Sequence, residues 1–498
     1  MKKIILIILI AIFISVEGCS YNNGSPVSVR ISSNPSGAQL YLDKEFKGYT
    51  PLDIDITKTK HRIVISKTGY SALKADIYVY NKHSFTFALK SIPIEKSIEC
   101  GRIELFPGHQ PMFKDNKFIF VDHYYKPERL YIHCIDLDSY NELWRFEIKA
   151  ESNFDLNETR VYLIDNLLYA YTYRYSGKDY LPYLYIIDMD GKLVLKEKLP
   201  FLTHMPDKDV VILVDQNIVT NPNPTKASLR CYSLRKHKIV WEEDIKVGVA
   251  VSRIFGNTLY IFSINENSLR IHKINKFTGE ILLVKDFPEI RNFPVGEDGL
   301  PIAAPLTIVN GKAFFSSDGK DIYCIDLENM KILYRCDTGI YFHSVEAKDN
   351  LLFVTGSGKT VAIDINDGKV RGTYKAEFRY SSVAAVDGKV FIGVAGDRIH
   401  CFNTNGKEIE FPYSPNMFGG SFMALEIASN TLTARTVSSS AGNHLYVFNL
   451  KTNEPLFSLE DVGGFYIVKS LLIVIPLTEP GEKKKIIFID LGKFSKYP

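Results

Sequence analysis

Short apolar segments separated by polar turns fill the chain from residue 130 to its end. An apolar segment that closes on an Asp, Asn or Ser recurs nine times, at intervals of about 38 to 52 residues. The closing residues are Asp136, Asp188, Ser233, Asn275, Asp326, Asp364, Asn403, Asn449 and Asp490. A repeat of this length is typical of the blades of a β-propeller.

Tight turns follow most of these closing residues. The pairs Asp190-Gly191, Thr278-Gly279 and Asn405-Gly406 tolerate the positive φ of a tight hairpin, and a further strand leaves each turn. A unit of short antiparallel strands cannot bury both faces alone, so neighbouring units must stack around an axis. The pattern predicts a propeller over residues 100–498. We expect eight blades and leave seven or nine open, because nine closing residues can be counted but more than eight blades are uncommon.

A shorter region before the repeats has its own alternating pattern. Residues 27–31 and 39–43 alternate between apolar and polar side chains, with a turn at residues 34–37, as paired strands do. The blocks Pro35-Ser36-Gly37-Ala38, Tyr41-Leu42-Asp43, Gly48-Tyr49-Thr50-Pro51-Leu52 and Lys67-Thr68-Gly69-Tyr70 resemble a PEGA domain, with Ser36 where that family carries an acidic residue. The resemblance implies a small extracytoplasmic β-sandwich over residues 26–90, used for spacing or attachment.

A linker is predicted over residues 91–99, which include Pro93. Residues 102–106 then resemble a single strand that precedes the first complete repeat. The last repeat, around residues 486–490, ends before its final strand. We therefore expect the early strand to complete the last blade and close the ring.

The first residues have the pattern of an export signal. Met1-Lys2-Lys3 precedes an apolar run over residues 4–16, which is too short for a confident membrane span. Val16-Glu17-Gly18-Cys19 resembles the end of a bacterial lipoprotein signal, although Glu17 stands where a small or hydroxyl residue is usual. The resemblance implies a signal peptide over residues 1–18, lipidation at Cys19, and a short linker over residues 19–25. An ordinary secretory signal or an uncleaved anchor remains the alternative.

Composition narrows the partners. The 498 residues are 46% hydrophobic and carry a formal charge of +3, so the chain is folded and nearly neutral. Nothing in this balance indicates a nucleic-acid partner. Durable acylation would instead hold the protein at a cell membrane or outer membrane, on the extracytoplasmic side.

Six cysteines remain beside Cys19. Cys134, Cys231, Cys324 and Cys401 each lie two residues before a closing residue, at equivalent sites of different blades. Such sites are too far apart for a disulfide, which predicts small apolar core side chains. Cys324 and Cys336 share a repeat, so a pairing across a hairpin stays open. The chain has no Cys-x-x-Cys pair to support a thiolate zinc site.

The repeat of strand, turn and Tyr-Cys-Ile-Asp-Leu resembles the PQQ-like, or quinoprotein-type, propeller repeat. In enzymes of that superfamily, the quinone lies on the axis between a tryptophan and a disulfide of adjacent cysteines, with calcium beside it. This chain has no Cys-Cys pair, and Trp144 and Trp241 occupy the repeat's ordinary position for packing between blades. We therefore predict no catalytic residue, no cofactor and no metal, and keep an exported PQQ-dependent dehydrogenase as the alternative.

The remaining motifs lack the neighbouring residues or elements that a functional site would need. Gly356-Ser357-Gly358-Lys359-Thr360 matches the end of a phosphate-binding loop, but a strand follows it instead of a helix, which predicts a hairpin turn. The pairs Glu242-Glu243 and Asp53 with Asp55 are interpreted as solvated positions, and the histidines show no metal-ligand spacing. The 29 tyrosines are mostly explained by strand propensity, although exposed ones could contact sugars or a protein.

The sequence therefore predicts a non-catalytic extracytoplasmic lipoprotein. Its propeller would act as a binding scaffold at the cell envelope, with a protein or glycan partner at the propeller loops.

Overall fold

A computed structural model describes 25 stretches of the chain. They are residues 26–79, 83–100, 103, 111–125, 128–149, 159–172, 183–198, 203–207, 210–214, 227–233, 236, 238–245, 251–265, 267–291, 307–317, 319–341, 344–348, 350–356, 358–375, 383–394, 398–403, 406–411, 420–438, 443–477 and 484–494. The chain divides into two compact units. The first contains residues 1–93 and 446–460, and the second contains residues 94–445 and 461–498.

The N-terminal part of the first unit is a small β-sandwich. Its strands are β1 (Val27–Asn34), β2 (Gln39–Leu42), β3 (Glu45–Tyr49), β4 (Leu52–Ile56), β5 (Lys60–Ser66), β6 (Leu73–Tyr78) and β7 (Ser84–Ala88). One sheet has the order β4-β1-β7 and the other β3-β2-β5-β6. Alternating residues of both sheets meet in a core that includes Val29, Ile31, Leu40 and Ile65. The predicted sandwich is confirmed.

Two predicted turns of this sandwich are joined to each other. Gly37, at a φ of +75°, donates its N–H to the Thr50 carbonyl at 2.6 Å, and the Thr50 N–H donates to the Ala38 carbonyl at 2.8 Å. The Thr50 hydroxyl accepts the Ala38 N–H at 3.0 Å and also bonds the Ser33 hydroxyl. These contacts explain why the two sequence blocks occur together.

Residues 446–460 belong to the same unit. Gly69 and Ala72 donate their N–H groups to the carbonyls of Ser458 and Leu456, at 2.8 and 2.6 Å. The buried carboxylate of Glu454 pairs with Lys74 Nζ at 3.0 Å. A charge with little solvent access requires such a partner.

Nine four-stranded antiparallel sheets occupy the described residues beyond the sandwich, and eight of them are continuous in sequence. Strand β8 (Lys96–Cys100) precedes them in the chain and belongs to the ninth sheet. The first four sheets consist of β9 (Met112–Lys114), β10 (Lys117–Tyr125), β11 (Glu128–Asp136) and β12 (Glu142–Lys149); β13 (Arg160–Ile164), β14 (Leu167–Thr172), β15 (Tyr183–Asp188) and β16 (Leu193–Lys198); β17 (Thr203–Asp207), β18 (Val210–Val214), β19 (Ala227–Ser233) and β20 (Lys238–Ile245); and β21 (Val251–Phe255), β22 (Thr258–Asn265), β23 (Ser268–Asn275) and β24 (Ile281–Arg291).

The next four sheets repeat the same up-and-down order. They are β25 (Thr307–Val309), β26 (Lys312–Ser317), β27 (Asp321–Asp326) and β28 (Lys331–Asp337); β29 (Ser344–Lys348), β30 (Leu351–Gly356), β31 (Lys359–Asp364) and β32 (Val370–Tyr374); β33 (Val383–Val386), β34 (Lys389–Gly393), β35 (Ile399–Asn403) and β36 (Glu408–Ile409); and β37 (Gly420–Ala428), β38 (Thr431–Ser438), β39 (His444–Asn449) and β40 (Pro455–Glu460).

The ninth sheet joins the two ends of the propeller. Its strands β41 (Val462–Val468), β42 (Leu471–Pro476) and β43 (Lys484–Asp490) are completed by β8, which pairs antiparallel with β43 from Lys96 opposite Phe488 to Cys100 opposite Lys484. A 3-10 helix, Leu491–Lys493, follows. Phe118 and Phe120 of the first sheet share a buried cluster with Ile473 and Phe488 of the last, so the ring closes.

Closure was predicted, but the strand responsible lies earlier than expected. The structure uses Lys96–Cys100, mostly inside the predicted linker over residues 91–99. Of residues 102–106, only Ile103 is described, and it is buried outside any strand. Pro93 does not prevent this pairing, since a proline three residues before a strand does not disturb its hydrogen bonds. The nine sheets lie at the upper limit of the predicted range and exceed the expected eight by one.

All nine closing residues end the third strand of a sheet. Each side chain accepts a hydrogen bond from a backbone N–H of the following turn, a local arrangement that Asp, Asn and Ser favour. Asp136 accepts from Ser139 at 2.7 Å and Asp364 from Asn366 at 2.8 Å, and these bonds lower the pKa of both carboxyls. The equivalent bonds to the remaining side chains run from Asp190 and Lys192 to Asp188, Lys236 to Ser233, Phe277 to Asn275, Glu328 to Asp326, Lys407 to Asn403, Lys451 to Asn449 and Gly492 to Asp490. The repeat is therefore a turn signal.

Candidate functional site

The first strand of each sheet lies towards the propeller axis. First strands of successive sheets contact one another, as β13 does with β17 and β29 with β33. Because a propeller narrows towards its axis, these contacts between first strands place them innermost. Charged side chains on these strands are therefore candidates for an axial site.

Glu346 on β29 joins two neighbouring sheets. Its Oε2 atom accepts the backbone N–H of Val383, the first residue of β33, at 3.2 Å. Burial raises the pKa of the Glu346 carboxyl, and the hydrogen bond from Val383 and the charge of Lys348 partly oppose that effect. This hydrogen bond thus ties the Glu346 carboxyl to the first strand of the neighbouring sheet.

Glu426 on β37 provides a second carboxyl in the same electrostatic environment. Burial raises its pKa, the negative charge of Glu346 raises it further, and Lys348 lowers it. Because burial and the neighbouring negative charge both disfavour ionisation, such carboxyls stay protonated to a higher pH than exposed ones. Glu346, Lys348 and Glu426 therefore form one interacting group, although they come from two different sheets.

Arg435 and Tyr466 extend this group to the ninth sheet. Arg435 on β38 donates from Nε to the Val462 carbonyl at 3.1 Å, and burial lowers the pKa of its guanidinium. Burial raises the pKa of Tyr466 on β41 to about 12; the charge of Glu426 adds to this increase and that of Arg435 opposes it. We call Glu346, Lys348, Glu426, Arg435 and Tyr466 the axial polar cluster.

The axial polar cluster combines hydrogen-bond donors and acceptors of both charges in a partly desolvated place. A protonated carboxyl and the tyrosine hydroxyl can donate, whereas an ionised carboxylate accepts. Such a set can orient a polar ligand or a polar side chain of a partner. These residues were not predicted from the sequence. The available signal was an isolated charge within an apolar first strand, as in Leu425-Glu426-Ile427.

The two tryptophans have the structural role that the sequence predicted. Trp144 and Trp241 each lie on a fourth strand and donate from Nε1 to a turn carbonyl of the next sheet, those of Met189 and Lys276, at 2.9 Å in both cases. Tyr334 takes the same place on the fifth sheet and donates its hydroxyl to the Ile365 carbonyl at 2.9 Å. Each ring rests on a glycine of that turn, namely Gly191, Gly279 and Gly368.

These contacts make Gly279 a sensitive position. A Cβ there would lie 2.7 Å from Cδ2 of Trp241, at a φ of +77°, whereas Gly256 in the same sheet has a φ of +56° and open space around it. We expect Gly256→Ala to cost about 1 kcal/mol of unfolding free energy through backbone strain alone. Gly279→Ala should cost about 2 kcal/mol because the ring must also move. Urea denaturation of both variants tests this, and equal losses would contradict the docking role of Trp241.

The six cysteines of the described residues are buried free thiols. Burial raises the pKa of Cys134, Cys324 and Cys401 to about 11 each, which keeps these thiols protonated. Cys336 lies opposite Ile322, and Cys324 opposite Tyr334, so the two do not face each other across the hairpin. Cys19 lies outside the described residues.

The remaining motifs have ordinary structural places. Gly356 pairs with Lys359 in a hairpin between β30 and β31, so this segment is a turn between strands and not a phosphate-binding loop. Asp53 pairs with Arg30 at 2.9 Å on an exposed face, and Glu242 pairs with Arg230 at 2.7 Å. Within the described ranges, no group of three or more His, Cys, Asp or Glu side chains has a metal-binding arrangement.

One histidine contact was not foreseen. His133 on β11 places Nδ1 2.6 Å from Glu142 and Nε2 3.6 Å from the buried carboxylate of Asp122, and its ring stacks on Phe120. These residues lie between strands of the first sheet, so they link those strands.

The part of the chain that the structure describes contains no helix long and apolar enough to cross a membrane.

The chain is similar to known proteins in its N-terminal domain and, more distantly, in its propeller. Residues 27–92 match the PEGA domain family. No curated protein matches the chain. Among solved structures, BamB from Moraxella catarrhalis is 16% identical, with 69% of this chain and 96% of that chain covered and a TM-score of 0.41. The dihydro-heme d1 dehydrogenase NirN is 12% identical, with 80% of each chain covered and a TM-score of 0.41. The computationally designed Ika8 protein is 10% identical, with 66% and 95% covered and a TM-score of 0.38.

Proposed function

We propose that the chain is a lipid-anchored extracytoplasmic protein whose propeller binds a protein or glycan at the cell envelope. Cys19 carries the lipid, the PEGA domain acts as a spacer or attachment module, and the PQQ-like propeller is a non-catalytic scaffold. The partner binds at the propeller loops, where the axial polar cluster adds polar contacts.

The packing of the two tryptophans is the observation that favours a scaffold over an enzyme. A quinone enzyme of the PQQ-like type needs an axial tryptophan to cover the cofactor. Trp144 and Trp241 instead lie on outer fourth strands, where a backbone carbonyl and a glycine of the next sheet hold them. Neither ring can leave this place without breaking the contact between two sheets.

Lipid attachment gives a direct test of the anchoring part. We expect cells that express the wild-type chain to incorporate labelled fatty acid into it and retain it in the membrane fraction. Cys19→Ala should lose both properties. Cys336→Ala removes a buried thiol of the fifth sheet and is the matched control, which should still be labelled. Equal labelling of the wild-type chain and Cys19→Ala would refute lipidation at this residue.

The alternative function is an exported PQQ-dependent dehydrogenase. The full chain, incubated with pyrroloquinoline quinone and calcium, would then reduce an artificial electron acceptor in the presence of an alcohol or sugar. The scaffold proposal predicts no reduction above the rate of heat-denatured protein. Turnover that depends on both additives would replace the scaffold with the enzyme.

A further inference from the structure

The outer strand of the fourth sheet carries an uncommon apolar edge. Ile281, Leu282, Leu283 and Val284 are 40%, 47%, 42% and 42% exposed, and all four lie at the start of β24. Other described fourth strands expose at most two large apolar residues, such as Leu143 on β12 or Leu333 on β28. Four consecutive exposed aliphatic residues on an edge strand are typical of a surface that pairs with another strand.

The register of β24 determines which side chains share a face. Ile281 lies opposite Ile274 and Leu283 opposite Lys273, so Leu282 is the extra residue of a bulge. Lys285 lies opposite Ile271, and the Glu280 carbonyl accepts the Asn275 N–H at 2.9 Å. Since residues 271, 273 and 275 of one strand share a face, Glu280, Leu283 and Lys285 also share one. Glu280 and Lys285 are an odd number of positions apart and would lie on opposite faces of a regular strand. The extra residue of the bulge places both on the same face.

The segment from Glu280 to Lys285 is self-complementary. It reads acidic, four aliphatic residues, basic. When two copies approach antiparallel about a two-fold axis between Leu282 and Leu283, Glu280 of each copy lies opposite Lys285 of the other. Ile281 then faces Val284 of the other copy on the second face of the sheet. Opposite charges and aliphatic residues directly across from each other both stabilise strand pairing.

We infer that the chain forms a two-fold homodimer through the β24 edges of two copies. The two fourth sheets join into one sheet across the interface, which places the exposed aliphatic residues beside those of the other copy and gives an isologous contact. The charge pattern indicates that the partner strand comes from a second copy of this chain, because one segment supplies both the acidic and the basic member of each charge pair. The inference does not depend on the proposed lipid anchor.

Charge reversal at the two ends of this segment provides the test. The full chain is studied by sedimentation equilibrium in a density-matched detergent with micelles in excess. We expect the wild-type chain to be dimeric. Glu280→Lys and Lys285→Glu should each weaken the dimer at least tenfold, because each places like charges opposite each other twice. The double variant, Glu280→Lys with Lys285→Glu, should restore the dimer.

A matched control comes from the next sheet. Lys331→Glu reverses an exposed charge at the start of the outer strand β28 and should leave the dimer unchanged. Restoration by the double variant attributes the loss in the single variants to the like charges and not to a change at either position by itself. A monomeric wild-type chain, single variants with wild-type affinity, or a double variant that stays monomeric would each overturn the inference.

Discussion

Trp241→Ala is expected to lower the free energy of unfolding of the propeller by about 3 kcal/mol, the lower part of the range for loss of a large aromatic side chain. The indole fills the contact between the third and fourth sheets, where it packs in a cluster with Cys231 and Ile261. Truncation also removes the Nε1–H group that donates to the carbonyl of the buried Lys276.

Trp241→Phe separates the two contributions. It keeps a ring over Gly279 but removes the Nε1 donor, so we expect a loss of about 1 kcal/mol. Urea denaturation followed by far-UV circular dichroism measures both variants against the wild-type chain. If the alanine variant costs no more than the phenylalanine variant, the ring does not hold the sheets together.

The stability of the fourth sheet should fall as the pH is lowered from 6.5 to 4. His272 on the central strand β23 is buried, and its Nδ1 atom has no hydrogen-bond partner among the described residues. Burial lowers the pKa of His272 to about 4; the charge of Arg270 also lowers it, and that of Asp286 opposes this effect.

The sign follows from proton binding. Below pH 6.5 the unfolded chain protonates this histidine, while the folded chain does so only near pH 4. Protons therefore favour the unfolded state through this window, and the loss approaches about 3 kcal/mol at pH 4. His272→Leu removes the titrating group, so we expect the variant to lose less stability than the wild-type chain over the same window. Parallel pH profiles for the two proteins would contradict this account.

Sequence patterns predicted the fold more successfully than the site. The nine closing residues were visible because each turn needs its own local acceptor, as Asp136 and Asp364 show. The docking position of Trp144 and Trp241 was visible because both follow a closing residue at the same point of the repeat. The expected number of blades was eight, one fewer than the nine sheets observed. That number was chosen because propellers with more than eight blades are uncommon, although nine closing residues had already been counted.

The axial polar cluster could not be predicted in the same way. Glu346, Glu426 and Tyr466 are far apart in the chain, and only the closed ring brings their first strands together. The displaced closing strand has a related cause. Residues 96–100 and 102–106 both alternate in part, and only the register with β43 shows which segment pairs.

Cross-linking on intact cells tests the central claim most directly. A tagged wild-type chain and Cys19→Ala are cross-linked, purified and compared for the proteins and glycans that accompany them. The account predicts one envelope protein or glycan recovered in near-equal amount with the wild-type chain and lost with Cys19→Ala. Recovery of no partner with the wild-type chain, together with quinone- and calcium-dependent turnover by the purified protein, would contradict it.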